Sequence, residues 1–115
     1  MRLDAAANIA SYKTMWLITM FDVPVMTPED RRNYTRLRRG LLRAGFVQLQ
    51  FSVYARWCDS EDGAKIVRKI VRGILAPGGE VRIVTVTERQ FAKMEVYRGR
   101  KKKQAEAPPE QFILL

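Results

Sequence analysis

An α+β domain in the order strand, helix, strand, strand, helix, strand is predicted by three features of this 115-residue chain. Short runs rich in β-branched and aromatic residues alternate with longer segments whose apolar side chains recur at helical spacing. Each helical segment has a capping residue in front and a glycine behind it. At 115 residues, with 47% hydrophobic and 10% aromatic side chains, the chain is sized and composed for one packed domain rather than two, and not for disorder.

The first strand spans residues 14–22 and includes Met15-Trp16-Leu17-Ile18-Thr19-Met20-Phe21, so continuously apolar that a central strand covered on both faces is expected. Thr27-Pro28-Glu29-Asp30 opens a helix: a hydroxyl N-cap, proline at the first helical position, and acids where the helix dipole favours them. Gly45 ends it. At about 100° per residue, Tyr34, Leu37, Leu41 and Ala44 fall on one side and Arg32, Arg36, Arg39 and Arg43 on the other. Residues 46–58 suit two short strands joined near Gln50 to Ser52, because strands typically run about five or six residues. A second helix starts at Asp59-Ser60-Glu61-Asp62 and stops at Pro77-Gly78-Gly79. Its expected buried set is Ile66, Val67, Ile70, Val71, Ile74 and Leu75, with Lys65, Arg68, Lys69 and Arg72 outside. Residues 80–87 form a β-branched strand, Thr87-Glu88-Arg89-Gln90 a capping box that starts a short helical turn, and residues 95–98 a further short strand.

This order is the ferredoxin-like, split βαβ arrangement: a four-stranded antiparallel sheet, its first and third strands central, with two helices on one face. The second face needs cover, and another copy of the chain would supply it. Residues 1–13 read as an N-terminal extension, 14–98 as the domain, and 99–115 as a tail that is basic at Lys101, Lys102 and Lys103 and apolar at Phe112-Ile113-Leu114-Leu115. That apolar end is expected to dock on a partner chain or on its own sheet.

Charge and missing residue types narrow the function. Lys and Arg number 21 against 12 Asp and Glu, a net +9 that favours a polyanionic partner, nucleic acid first. There is no histidine and one cysteine, Cys58, which excludes Ser/His and Cys/His catalysis, a disulfide framework and a thiolate zinc site. No transmembrane-length segment or signal-peptide pattern is present, so no membrane association and a cytoplasmic location are expected. Hydrolysis, if present, has to run through carboxylate, metal, Arg, Lys or hydroxyl.

Asp22 is the residue this reasoning singles out, a carboxylate at the tip of a strand expected to be buried, just before Val23-Pro24. An unpaired buried charge costs several kcal/mol, roughly, without a cation, proton or hydrogen bonds, which makes Asp22 a candidate metal ligand. One carboxylate holds Mg²⁺ weakly, so the other ligands must come from water, phosphate or a second chain. An Asx turn is the competing role. The arginine stripe has one sign throughout, which points to phosphate more than to a plain solvated face. Lys65, Arg68, Lys69, Arg72 and Lys101 to Lys103 carry the same reading less forcefully. Phe51, Tyr54 and Trp57 are candidate base-stacking residues, but the RNA-recognition aromatic signature is absent and core or interface packing is expected for them.

The segments Met20-Phe21-Asp22-Val23-Pro24, Asp30-Arg31-Arg32-Asn33-Tyr34, Leu49-Gln50-Phe51-Ser52-Val53-Tyr54 and Val81 to Phe91 together resemble the small CRISPR-associated adaptation protein Cas-two, in particular the subset found beside RNA-guided effector nucleases. The resemblance implies a ferredoxin-like homodimer with the first-strand aspartates facing one another around a divalent cation, Mg²⁺. It assigns Asp22 to the metal and catalytic position, Phe21 to the aromatic position beside it, Arg31 and Arg32 to the early basic positions, expected to be catalytic with Asp22 by stabilising developing negative charge, and Ser52 and Tyr54 to the Ser-Val-aromatic motif. At Gln48, where some members carry a basic residue, this chain departs. Two activities are implied: a metal-dependent endonuclease on RNA or DNA, and a dimer that holds duplex DNA and bridges integrase (Cas-one) dimers during spacer acquisition. A ribonuclease toxin of the related VapD-like fold resembles the same residues and stands as the alternative.

Overall fold

The structure, a computed structural model, describes residues 14–108. Four strands, β1 (Met15–Asp22), β2 (Val47–Gln50), β3 (Val53–Cys58) and β4 (Glu80–Thr87), form an antiparallel sheet in the order β2-β3-β1-β4. Two long helices, α1 (Pro28–Arg43) and α2 (Glu61–Ile74), cover one face of it, and the short α3 (Glu88–Ala92) follows β4. Strands β5 (Val96–Arg98) and β6 (Lys101–Lys103) make a separate hairpin turned at Gly99, whose φ is 63°. The ferredoxin-like order and the central positions of β1 and β3 are as expected. Residues 1–13 and the apolar end Phe112 to Leu115 lie outside the described residues.

The helix ends form where the local chemistry directs. Thr27 accepts a hydrogen bond from the Asp30 amide while the Asp30 carboxylate accepts from the Thr27 amide, a full capping box at the start of α1. At the other end Gly45 has φ 91°, and a Cβ built there would sit 2.8 Å from Arg56 Nε. Only glycine fits both constraints. Arg56 Nε donates to the Ala44 carbonyl at 2.9 Å, so β3 supplies the cation that closes the C-terminus of α1.

The alternation of β1 splits the interior in two. Met15, Leu17 and Phe21 point to the helices and join Leu37, Leu41, Phe46, Tyr54, Val67 and Val71. Trp16 and Ile18 point to the other face, where Trp16 stacks on Phe91 of α3 at 4.0 Å and 9°. Met94 and Ala105 add to this cover, and among the described residues Met20 and Val84 on the same face, and Val47 on β2, stay exposed. Leu41 is fully buried in the helix-side core. We expect Leu41→Ala to lower unfolding stability by about 2–5 kcal/mol, read from the urea midpoint. A loss well under that range would mean the α1–sheet contact is not the main core.

One burial expectation is corrected. Ile66 and Ile70 are 61% and 39% exposed, while α2 buries Ala64, Val67 and Val71. The small Ala64 side chain lets its side of the helix settle on the sheet, which rotates Ile66 and Ile70 outward. Hydrophobic spacing alone treats alanine as a weak signal and isoleucine as a strong one, and here close approach decided instead.

Candidate nucleic-acid interface and carboxylate site

The amphipathic pattern of α1 builds the most developed surface feature. Leu37 and Leu41 anchor its inner face, which leaves Arg32, Arg36, Arg39 and Arg43 exposed on the outer one. Together with Arg31 they line a single open groove, floored where Gly40 meets Ile74 of α2. A Cβ on Gly40 would lie 3.1 Å from Ile74 Cδ1, so the two helices approach closely at that glycine. Arg31 is oriented by donating from Nη1 to the Met26 carbonyl at 3.2 Å, and Arg36 by donating to Asn33 Oδ1 at 3.2 Å. Among the described residues none of these five arginines is in a salt bridge. A groove of one sign, without counter-ions among the described residues, has the charge that would suit an extended polyanion.

The second helix contributes less. Lys65, Lys69 and Arg72 are exposed on α2, but Arg68 is half-buried and occupied: Nη1 binds Glu61 Oε2 at 2.7 Å and Nη2 donates to Thr85 Oγ1 at 3.0 Å. That hydrogen bond holds the Glu61 carboxyl below its ordinary range. Arg68 therefore ties α2 to β4 rather than facing outward with its neighbours. Lys101, Lys102 and Lys103 are exposed along β6.

Asp22 sits at the end of β1, exposed, on the sheet face away from the helices. This corrects the buried-charge expectation: the residues of β1 that face the helices stay buried through Phe21, whereas the opposite face is open from Met20 onward, and Asp22 lies on that open face. Its register partner is Glu80 of β4, so two carboxylates stand directly opposite each other. Like charges in that position destabilise a ladder unless a cation intervenes. Glu80 lies 3.6 Å from Arg82 Nε. Only the fold reveals the Asp22–Glu80 pairing, because the two residues lie far apart in sequence. Among the described residues no group of three or more His, Cys, Asp and Glu side chains is placed to hold a metal ion. Asp22 does not line the groove of Arg31 and Arg32, so a single chain does not bring the three expected catalytic residues together.

Phe21 and Ser52 are connected through the backbone, the Phe21 amide donating to the Ser52 carbonyl at 2.9 Å, which pins the β2–β3 turn against the end of β1. Tyr54 is buried at 2% exposure and meets Phe21 edge-on at 6.2 Å. Burial, with Tyr34 beside it, pushes the Tyr54 hydroxyl pKa up, and Arg38 acts in the opposite direction. Cys58 is buried, and burial pushes its thiol pKa up, so it behaves as a core side chain and not a nucleophile. Of the core and interface packing expected for Phe51, the core alternative does not hold, the side chain being 70% exposed in the single chain.

Comparison with known proteins agrees with this architecture. Residues 15–94 match the family model described as CRISPR associated protein Cas2. A relative from Parvibaculum lavamentivorans, named CRISPR-associated endoribonuclease Cas2, is 41% identical over 100 residues, which cover 87% of this chain and 99% of the relative. Relatives with the same name from Paracidovorax avenae and Treponema denticola are each 37% identical, over 92% and 88% of this chain and 98% and 100% of their own lengths. No helix among the described residues is long and apolar enough to cross a membrane. With most of its length matched by the family model and close full-length relatives, the chain belongs to the Cas2, or Cas-two, family of CRISPR systems.

Proposed function

We propose that this chain works as a homodimeric adapter in spacer acquisition, holding duplex DNA on its arginine-lined groove and bridging Cas-one integrase dimers. The observation that carries the reading is the groove itself: five arginines of one sign, exposed and unpaired among the described residues. Contacts of this type act on the phosphate backbone and are sequence-independent. The dimer is supported by the half-covered sheet face, where Met20, Val47 and Val84 remain exposed, and by the outer edge of β4, which pairs with no strand among the described residues. Affinity for a short duplex across a salt series tests the adapter. The expected result is a steep linear fall of log affinity with log salt, with a slope of about −4 or steeper if the five arginines each displace a counterion. A flat dependence, or no binding at low salt, would remove duplex binding from the assignment.

A second reading rests on Asp22 and on the endoribonuclease name of the relatives: Mg²⁺-dependent cleavage of RNA or DNA. The donor set fits such an ion in kind. Mg²⁺ is commonly held by one or two carboxylates, with water and substrate phosphate completing the shell, and Asp22 with Glu80 offers that number. Once bound, the ion would supply Lewis-acid polarisation of a phosphodiester and activation of water, a need sharpened by the lack of histidine. Asp22 would orient the ion, and a second Asp22 would face it in a dimer paired through the open sheet face. Arg31 and Arg32 would stabilise developing phosphate charge only if substrate or the partner chain brings them to the carboxylates.

A further inference from the structure

The tip of the β2–β3 turn carries an aromatic side chain held outward. Phe51 is 70% exposed, and its ring rests on Tyr34 of α1 with centroids 5.5 Å apart and planes 19° from parallel. Isolated apolar residues on a surface are common and need no function. This one is braced. Its carbonyl accepts from Tyr34 Oη at 3.3 Å and from Gln48 Nε2 at 3.3 Å, and the following residue is pinned to β1 through the Phe21 amide. Backbone and one ring face are both fixed, which leaves the other face presented to solvent in a set orientation.

The surroundings say what would cover it. On α1, Arg31 and Arg38 lie one turn to either side of Tyr34, and from them exposed cations continue around the helix through Arg39 and Arg32 to the rest of the groove. A basic arc therefore begins at the phosphate groove and ends at an aromatic platform. A nucleotide joins the complementary pair, an aromatic base and an anionic phosphate. A duplex presents no free base face along its length, whereas an unpaired nucleotide presents two.

We infer that Phe51, backed by Tyr34, is a stacking platform for an unpaired nucleobase, whose flanking phosphates run onto Arg31 and Arg38 toward the arginine groove. The inference deepens the adapter reading and rests on it for the duplex portion: the preferred ligand is a duplex continued by a single strand. Because stacking tolerates any base, the platform reads strandedness and not sequence.

The test compares a blunt duplex with the same duplex carrying a short single-stranded extension that contains 2-aminopurine, using the full chain. The wild type is expected to bind the extended ligand about 5- to 150-fold more tightly than the blunt one and to quench the 2-aminopurine. Phe51→Ala should erase that increment and the quenching while leaving blunt-duplex affinity in place. Phe51→Trp should retain both, and Phe51→Leu, which keeps bulk without a π face, should lose them. Equal affinity of the wild type for both ligands would overturn the platform, as would a Phe51→Ala variant that weakens both ligands alike. A change in the mass of the unliganded assembly on Phe51→Ala would also overturn it, since the ring would then be covered by a second copy. Failure of the adapter reading looks different: no blunt-duplex binding, with the extension still bound in a Phe51-dependent way.

Discussion

Replacing Arg32, Arg36, Arg39 and Arg43 together with glutamate is expected to abolish duplex binding at ordinary salt without unfolding the chain. All four side chains are exposed, and Leu37 and Leu41, which hold α1 to the sheet, are untouched. Removing four phosphate contacts lowers the salt slope by about 3.6, which over a fourfold salt range is a difference of roughly 10² in affinity before the new repulsion is added. Gel shift or anisotropy at two salt concentrations measures it, with far-ultraviolet circular dichroism as the folding control. An affinity unchanged at low salt would remove the groove from the account and return weight to β6. The Arg68 guanidinium offers an internal comparison: because it is bound to Glu61 and Thr85, Arg68→Ala should change stability more than duplex affinity.

The second large effect is expected from Asp22→Asn. If cleavage of RNA or DNA runs through Mg²⁺ at this carboxylate, the substitution should reduce it to background while duplex affinity stays within a few-fold of wild type. Folding should survive, because Asp22 stands opposite Glu80 and loss of one like charge relieves the ladder by about 0.2–1 kcal/mol. A melting temperature equal to or above that of wild type would show that lost activity is not lost structure. Wild-type cleavage by the variant would end the catalytic assignment. Spacer acquisition measured with the same variant separates the two readings, since acquisition without cleavage makes the adapter role the biological one.

Much of the fold was legible because its signals are local. Thr27 and Asp30 cap α1 through groups three residues apart, Thr87 and Gln90 do the same for α3, and Gly45 stops α1 at a positive φ. The faces of α1 were equally legible, since leucine and arginine at helical spacing leave one choice of buried side. The turn at Phe51 and Ser52 also fell within the expected Gln50 to Ser52 stretch. What failed was long-range. Ile66 and Ile70 were expected inside because isoleucine is strongly apolar, but the settling of α2 at Ala64 set which arc was buried. The return strand of three lysines was read only as a basic run, because its β conformation comes from pairing with Val96, Tyr97 and Arg98 and not from lysine itself.

The functional residues divide along the same line. By itself the sequence determined the family, the cationic character of the outer face of α1, the absence of imidazole chemistry, and Asp22 as the carboxylate to watch. Tertiary structure alone decided that Asp22 is exposed and faces Glu80, that Arg31 and Arg32 line a groove without it, that Arg68 is occupied, and that Phe51 stands outward on Tyr34. The physical reason is range. Helix faces and caps are set by residues a turn apart, whereas the neighbours of a charge or a ring across strands depend on sheet register, which the packing of the whole chain fixes.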